Sequence, residues 1–163
     1  MVKNQVSEDW IEKVVELASA DLDTDKFLAT HLHKLDYLQD NDILKRAYKH
    51  LSSLRESPSW KGFWRSCISA PSSNWQISLP ISNIAPNKDE TVWFLVELTT
   101  ISYHPMFEGK VEIVEAVANQ IRLLEYYVIS KDFTWVIAKS RHDEIFVNGD
   151  VVEQNLKKLT SKT

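Results

Sequence analysis

The chain has 163 residues, 44% of them hydrophobic and 26% charged, with a formal net charge of −4. That is enough chain and apolar content for one globular domain with its own core. The acidic balance argues against a general nucleic-acid binder, which needs a basic excess.

No apolar run approaches the ~20 residues that cross a bilayer. Val2–Glu16 mixes charges with apolar residues where a secretory leader needs an unbroken apolar block. A cytoplasmic protein is therefore expected. Cys67 is the single cysteine, which excludes an internal disulfide framework and any multi-cysteine zinc site. Its neighbour Ile68 suits a buried thiol.

Residues 1–56 read as helical. Ser7 suits an N-cap, with Ile11, Val14, Val15 and Ala18 at helical spacing behind it. Asp23 or Thr24 suits the cap of a second helix carrying Leu28, Leu32 and Leu35. Asn41 or Asp42 would open a third, with a stripe of Ile43, Leu44, Ala47, Tyr48, Leu51 and Leu54.

Residues 57–90 are a connection rich in serine and proline, containing Trp60, Trp64 and Trp75. Within it Trp75–Leu79 alternates apolar and polar residues, as a short strand does, and Pro80 ends it.

Residues 91–160 form the sheet-and-helix part. Val92–Leu98 has the β-branched and aromatic content of a buried strand. Tyr103–Gly109, with Pro105 and Gly109, reads as a connection or irregular edge segment. Lys110–Leu123 is the clearest helix, with Val114, Val117, Ala118 and Ile121 on one face. Glu125–Ile129 and Phe133–Ala138 read as a hairpin turning near Lys131-Asp132. Glu144–Val147 is a further strand ending at Asn148-Gly149, after which Asp150 would cap a short helix with Val152, Leu156 and Leu159 inward. The expectation is one α+β domain. N-terminal helices precede a mostly antiparallel sheet with a central helix and a short C-terminal helix, the helices lying on one face of the sheet.

The chemical motifs are mostly negative. Gly62, Gly109 and Gly149 are the only glycines and stand far apart, so neither a phosphate loop nor a dinucleotide fingerprint exists, and no cofactor is expected. Asp21-Leu22-Asp23-Thr24-Asp25 imitates the start of a calcium loop. However, Lys26 replaces the turn glycine and Leu32 the bidentate glutamate. His31, His33, Asp36 and Asp40 fall on the expected second helix, where His33 and Asp36 would share a face without the further ligands a metal needs. No serine sits in a nucleophile elbow. Trp60-Lys61-Gly62-Phe63-Trp64-Arg65 interleaves aromatics with cations in the manner of a base-stacking surface, but two cations on an acidic chain make a weak funnel. Arg141-His142-Asp143-Glu144 is the densest polar cluster, in a connection between strands.

Five features occur in a particular order: Trp93 on a strand, Glu108-Gly109 before a helix, Tyr126-Tyr127, Trp135, and His142-Asp143 before Gly149. Over about residues 91–150 this order resembles the C-terminal signature of a family of uncharacterised bacterial proteins with a Tyr-Tyr strand, a Trp strand and a His-Asp turn. Arg141 stands where that signature has a first histidine. The resemblance implies a shared fold and no particular activity. In size, acidity and build the chain is also similar to bacterial toxin-immunity proteins.

The favoured reading is a non-enzymatic protein-binding module of immunity or antitoxin type, with a toxin-like or assembly partner and no nucleic acid or membrane. Its binding residues would be Tyr103, His104, Arg141, His142 and Asp143, with Trp60 and Trp64 as the second choice. Two alternatives are a small hydrolase or metal-dependent enzyme using His104, His142, Asp143 and Glu108, and a structural subunit of a larger assembly.

Overall fold

The computed structural model describes residues 31–51, 68–71, 81–97, 106–120, 125–140 and 144–161. Their centre is a seven-stranded sheet in the order β1-β4-β3-β5-β6-β7-β2. The strands are β1 (Leu32–Lys34), β2 (Ile68–Pro71), β3 (Thr91–Glu97), β4 (Met106–Lys110), β5 (Glu125–Ser130), β6 (Val136–Lys139) and β7 (Glu144–Asn148). Every pairing is antiparallel. Four helices accompany them: α1 (Tyr37–Leu51), α2 (Ile81–Ile84), α3 (Val111–Gln120) and α4 (Asp150–Thr160). The α+β class follows directly.

The alternation of side chains along each strand divides the core into two layers. Val92, Phe94, Val96, Tyr126, Val128, Ile137, Ile145 and Val147 face one way, and α2, α3 and α4 close over them with Ile81, Ile84, Val114, Val117, Val152 and Leu156. The aromatic centre of this layer is Phe94, 5.7 Å from Tyr126 and 6.4 Å from Phe107 between ring centroids. Leu95, Tyr127, Ile129, Val136 and Ala138 face the other way and meet Ile43 and Ala47 of α1. Helices thus lie on both faces of the sheet, not on one. The central strands are buried on both sides, and a single helical layer would leave half of that apolar surface in water.

The expected second helix fails at its end. Leu32 and Leu35 suit a helical stripe by spacing, yet they enter opposite layers. Three residues apart along an extended chain places side chains on opposite faces, and Leu32–Lys34 is accordingly β1, paired with β4. Asp36 then starts α1 five residues before the expected Asn41. The Gln39 amide donates to Asp36 Oδ1 (2.9 Å) and the Asp36 amide donates to Gln39 Oε1 (3.1 Å), a reciprocal capping box. The remaining N-terminal helical expectations, the Trp75–Leu79 strand, the Asp21–Asp25 acidic run and Cys67 lie outside the described residues.

Tyr103–Gly109 was expected to be an irregular edge, but from Met106 onward it is β4, an interior strand between β1 and β3. Gly109 explains how: a Cβ there would sit 2.8 Å from the His31 carbonyl and 2.9 Å from Leu32 Cδ1, so the missing side chain lets β1 close onto the strand. The serine- and proline-rich connection also contributes structure, namely β2 and α2. Helix α2 is only four residues long and is held from outside. The Ser82 amide donates to Glu115 Oε2 of α3, and Asn155 Nδ2 of α4 donates to the Ile84 carbonyl at 2.9 Å.

Helix α3, β3, β5 and β7 stand close to the ranges expected of them. Asp150 is the first residue of α4 and not its cap. The cap position is Gly149, without a side-chain hydrogen bond, and Asp150 contributes instead as an acidic residue in the first turn.

Candidate functional site at one end of the sheet

Strands β3 and β6 are both antiparallel to β5, which lies between them, so they run in the same direction and end on the same side of the sheet. Residues 98–105 follow β3, and residues 140–143 follow β6. Two strand spacings, about 10 Å, separate the points of departure. Tyr103, His104, Arg141, His142 and Asp143 lie in these connections but outside the described residues, as do Trp60 and Trp64. What the fold brings together is the strand ends that flank the first two groups.

Those ends carry an acidic row that the sequence does not display. Glu97 of β3 is in register with Glu125 of β5. One step beyond the Tyr126–Lys139 pair, the ladder sets Glu125 beside Ser140. The Ser140 amide donates to the Glu144 carbonyl at 2.9 Å, and Glu144 pairs with Pro71 at the sheet edge. Three glutamates and a serine therefore occupy one line across four strands, about 15 Å long. Like charges directly opposite each other in a ladder are destabilising. The Tyr127 hydroxyl donates to Glu125 Oε1. Lys139, only 1% exposed, belongs to the same end but pairs in register with Tyr126 and Ile145, within the layer that α2, α3 and α4 cover. Its charge is turned away from solvent.

The opposite end is built around the β5–β6 turn. The Phe133 amide donates to the Ser130 carbonyl (3.0 Å), and Phe133 itself adopts φ 58°, a left-handed conformation rare for a bulky residue. The buried Ser130 hydroxyl accepts from the Trp135 amide (3.0 Å) and donates to the Trp135 carbonyl (3.1 Å). Asp132 Oδ1 accepts from both the amide and the hydroxyl of Thr134, at 3.1 and 2.7 Å. The Thr134 hydroxyl is the main reason the Asp132 carboxyl lies below its ordinary pKa. Glu90 moves the other way. Burial raises its pKa, the nearby Asp132 charge adds to the rise, and a hydrogen bond with Trp135 opposes both.

Cations are held at this end by aromatic faces. Lys131 Nζ stands 4.4 Å from the Trp93 ring centroid and 2.8 Å from Glu108 Oε1, and Arg46 of α1 lies 4.9 Å from the Phe133 centroid. Trp93 Nε1 is buried without a hydrogen-bond acceptor. Glu108, a candidate acid of the enzymatic alternative, is thus engaged by a lysine from the turn. His33 pairs in register with Glu108 on β1, and Asp36 caps α1, so the helix face on which they were expected to meet does not form. Among the described residues no group of three or more His, Cys, Asp or Glu side chains is placed to hold a metal ion. No described helix is long and apolar enough to cross a membrane.

Fold and geometry define an α+β protein with an antiparallel sheet, helices on both faces, and an acidic end flanking two inter-strand connections. The chain belongs to a family of unknown function, DUF6756, whose model matches residues 9–160. The family match reaches well beyond the 91–150 stretch in which the aromatic motifs lie. No curated protein and no solved structure matches the chain.

Proposed function

We propose that the chain is a non-enzymatic protein-binding module of immunity or antitoxin type. It engages a basic partner through the acidic end of the sheet. One observation supports the reading: β3 and β6 run parallel and finish at the same end of the sheet, where the row Glu97–Glu125–Ser140–Glu144 lies, and Tyr103-His104 and Arg141–Asp143 belong to the segments that follow those two strands in the sequence. The row supplies charge complementarity to a basic surface and steers its approach. Tyr103 and Arg141 are of the residue types that anchor interfaces. An interface of ordinary size would cover about 800 Å² on each partner, more than the row alone offers, so both connections would take part. A bacterial, cytoplasmic setting belongs to the same proposal.

The test is affinity capture of partners from the source cells by the tagged full chain, in parallel with a Tyr103→Ala, Arg141→Ala, His142→Ala variant. One stoichiometric basic partner is expected with the parent chain. With the variant its affinity should drop at least tenfold, at an unchanged thermal midpoint, and binding should weaken as salt rises. A partner held equally by the variant, or lost only on Trp60→Ala and Trp64→Ala, would move the surface elsewhere. No specific partner across growth conditions would overturn the binding-module reading itself.

A further inference from the structure

We draw no further inference here: the strongest candidate, the side-chain cluster of Trp93, Glu108 and Lys131 beside the β5–β6 turn, is already filled by its own lysine ammonium, and nothing in the structure shows what would take its place.

Discussion

The two ends of the sheet carry different patterns of charge, although both hold polar groups with partners from within the fold, as the Tyr127 hydroxyl does for Glu125 at the acidic end. At the β5–β6 turn the charges are matched to partners from within the fold: Lys131 with Glu108 and the Trp93 ring, Asp132 with Thr134, and Arg46 with the Phe133 ring. At the other end the register sets Glu97 opposite Glu125, continues the row to Glu144, and keeps the nearby Lys139 out of solvent. A ladder selected for stability alone would not place two glutamates in register. The turn end is where the fold is fastened. At the acidic end two glutamates stand in register, an arrangement that costs a ladder a little stability.

The largest effect should come from Gly149, where β7 passes into α4 against the turn. Its φ is 124°, and a Cβ would lie 2.6 Å from the Thr134 carbonyl oxygen and 2.7 Å from Trp135 Cβ. Both the dihedral and the contact exclude a side chain, so Gly149→Ala should cost about 3 kcal/mol in urea unfolding. A loss under 1 kcal/mol would mean the junction yields easily, and the turn end would no longer count as the fastened one.

Phe133 comes next, because two terms compete there. Its ring is buried and carries Arg46, while its backbone is left-handed. Phe133→Ala should cost about 3 kcal/mol, chiefly from the lost ring. Phe133→Gly loses the same ring but relieves the dihedral, so it should be the more stable of the two variants by about 1 kcal/mol, the reverse of the usual Ala–Gly order. Equal midpoints would show that the left-handed conformation carries no strain.

The same distinction between local and distant determinants explains what was legible in the sequence. Helix α3 and strands β3, β5 and β7 could be read because their signals are local: a helical stripe in α3, β-branched and aromatic content in β3 and β5, and alternation in β7. Strand β1 could not, since Leu32 and Leu35 fit a helical stripe and only pairing with β4 reveals a strand at Leu32–Lys34 that leads into the cap of α1. The Pro105–Gly109 stretch suggested an irregular edge because the reason for Gly109, the approach of β1, lies 77 residues away in the chain. The binding candidates were chosen as polar and aromatic residues in connections. The glutamate row was invisible by that route: Glu97, Glu125 and Glu144 are ordinary residues at strand ends until register lines them up.

A smaller effect of opposite sign tests the acidic end. Glu97→Gln removes one of two like charges in register and should raise stability by about 0.3 kcal/mol, roughly 1 °C in thermal midpoint for a chain of this length. Partner binding should weaken at the same time. If the variant is instead less stable, the glutamates contribute to the fold, and the contrast between the two ends disappears.

The smallest effect is a change in pH dependence, from Glu90, a carboxylate at the turn end whose charged form burial disfavours. The pKa of Glu90 is raised above its ordinary value near 4.5, so the folded chain keeps this proton at pH values where the unfolded chain has released it. Stability therefore falls as pH rises from about 4.5 through the raised folded value, and the cost persists at neutral pH. Asp132 has the opposite sign. Its lowered pKa contributes stability above its ordinary value near 3.8, which is lost as pH falls through the folded value. Glu90→Gln removes the disfavoured charge while keeping an oxygen to accept from Trp135. The variant should be slightly more stable than the parent chain at pH 7, and the advantage should vanish by about pH 4, where the parent is protonated in both states. Urea midpoints at the two pH values decide it. A variant less stable at pH 7 would mean that the charged form of the Glu90–Trp135 hydrogen bond outweighs burial, so that Glu90 would not be an unfavourable charge to set against the row at the other end.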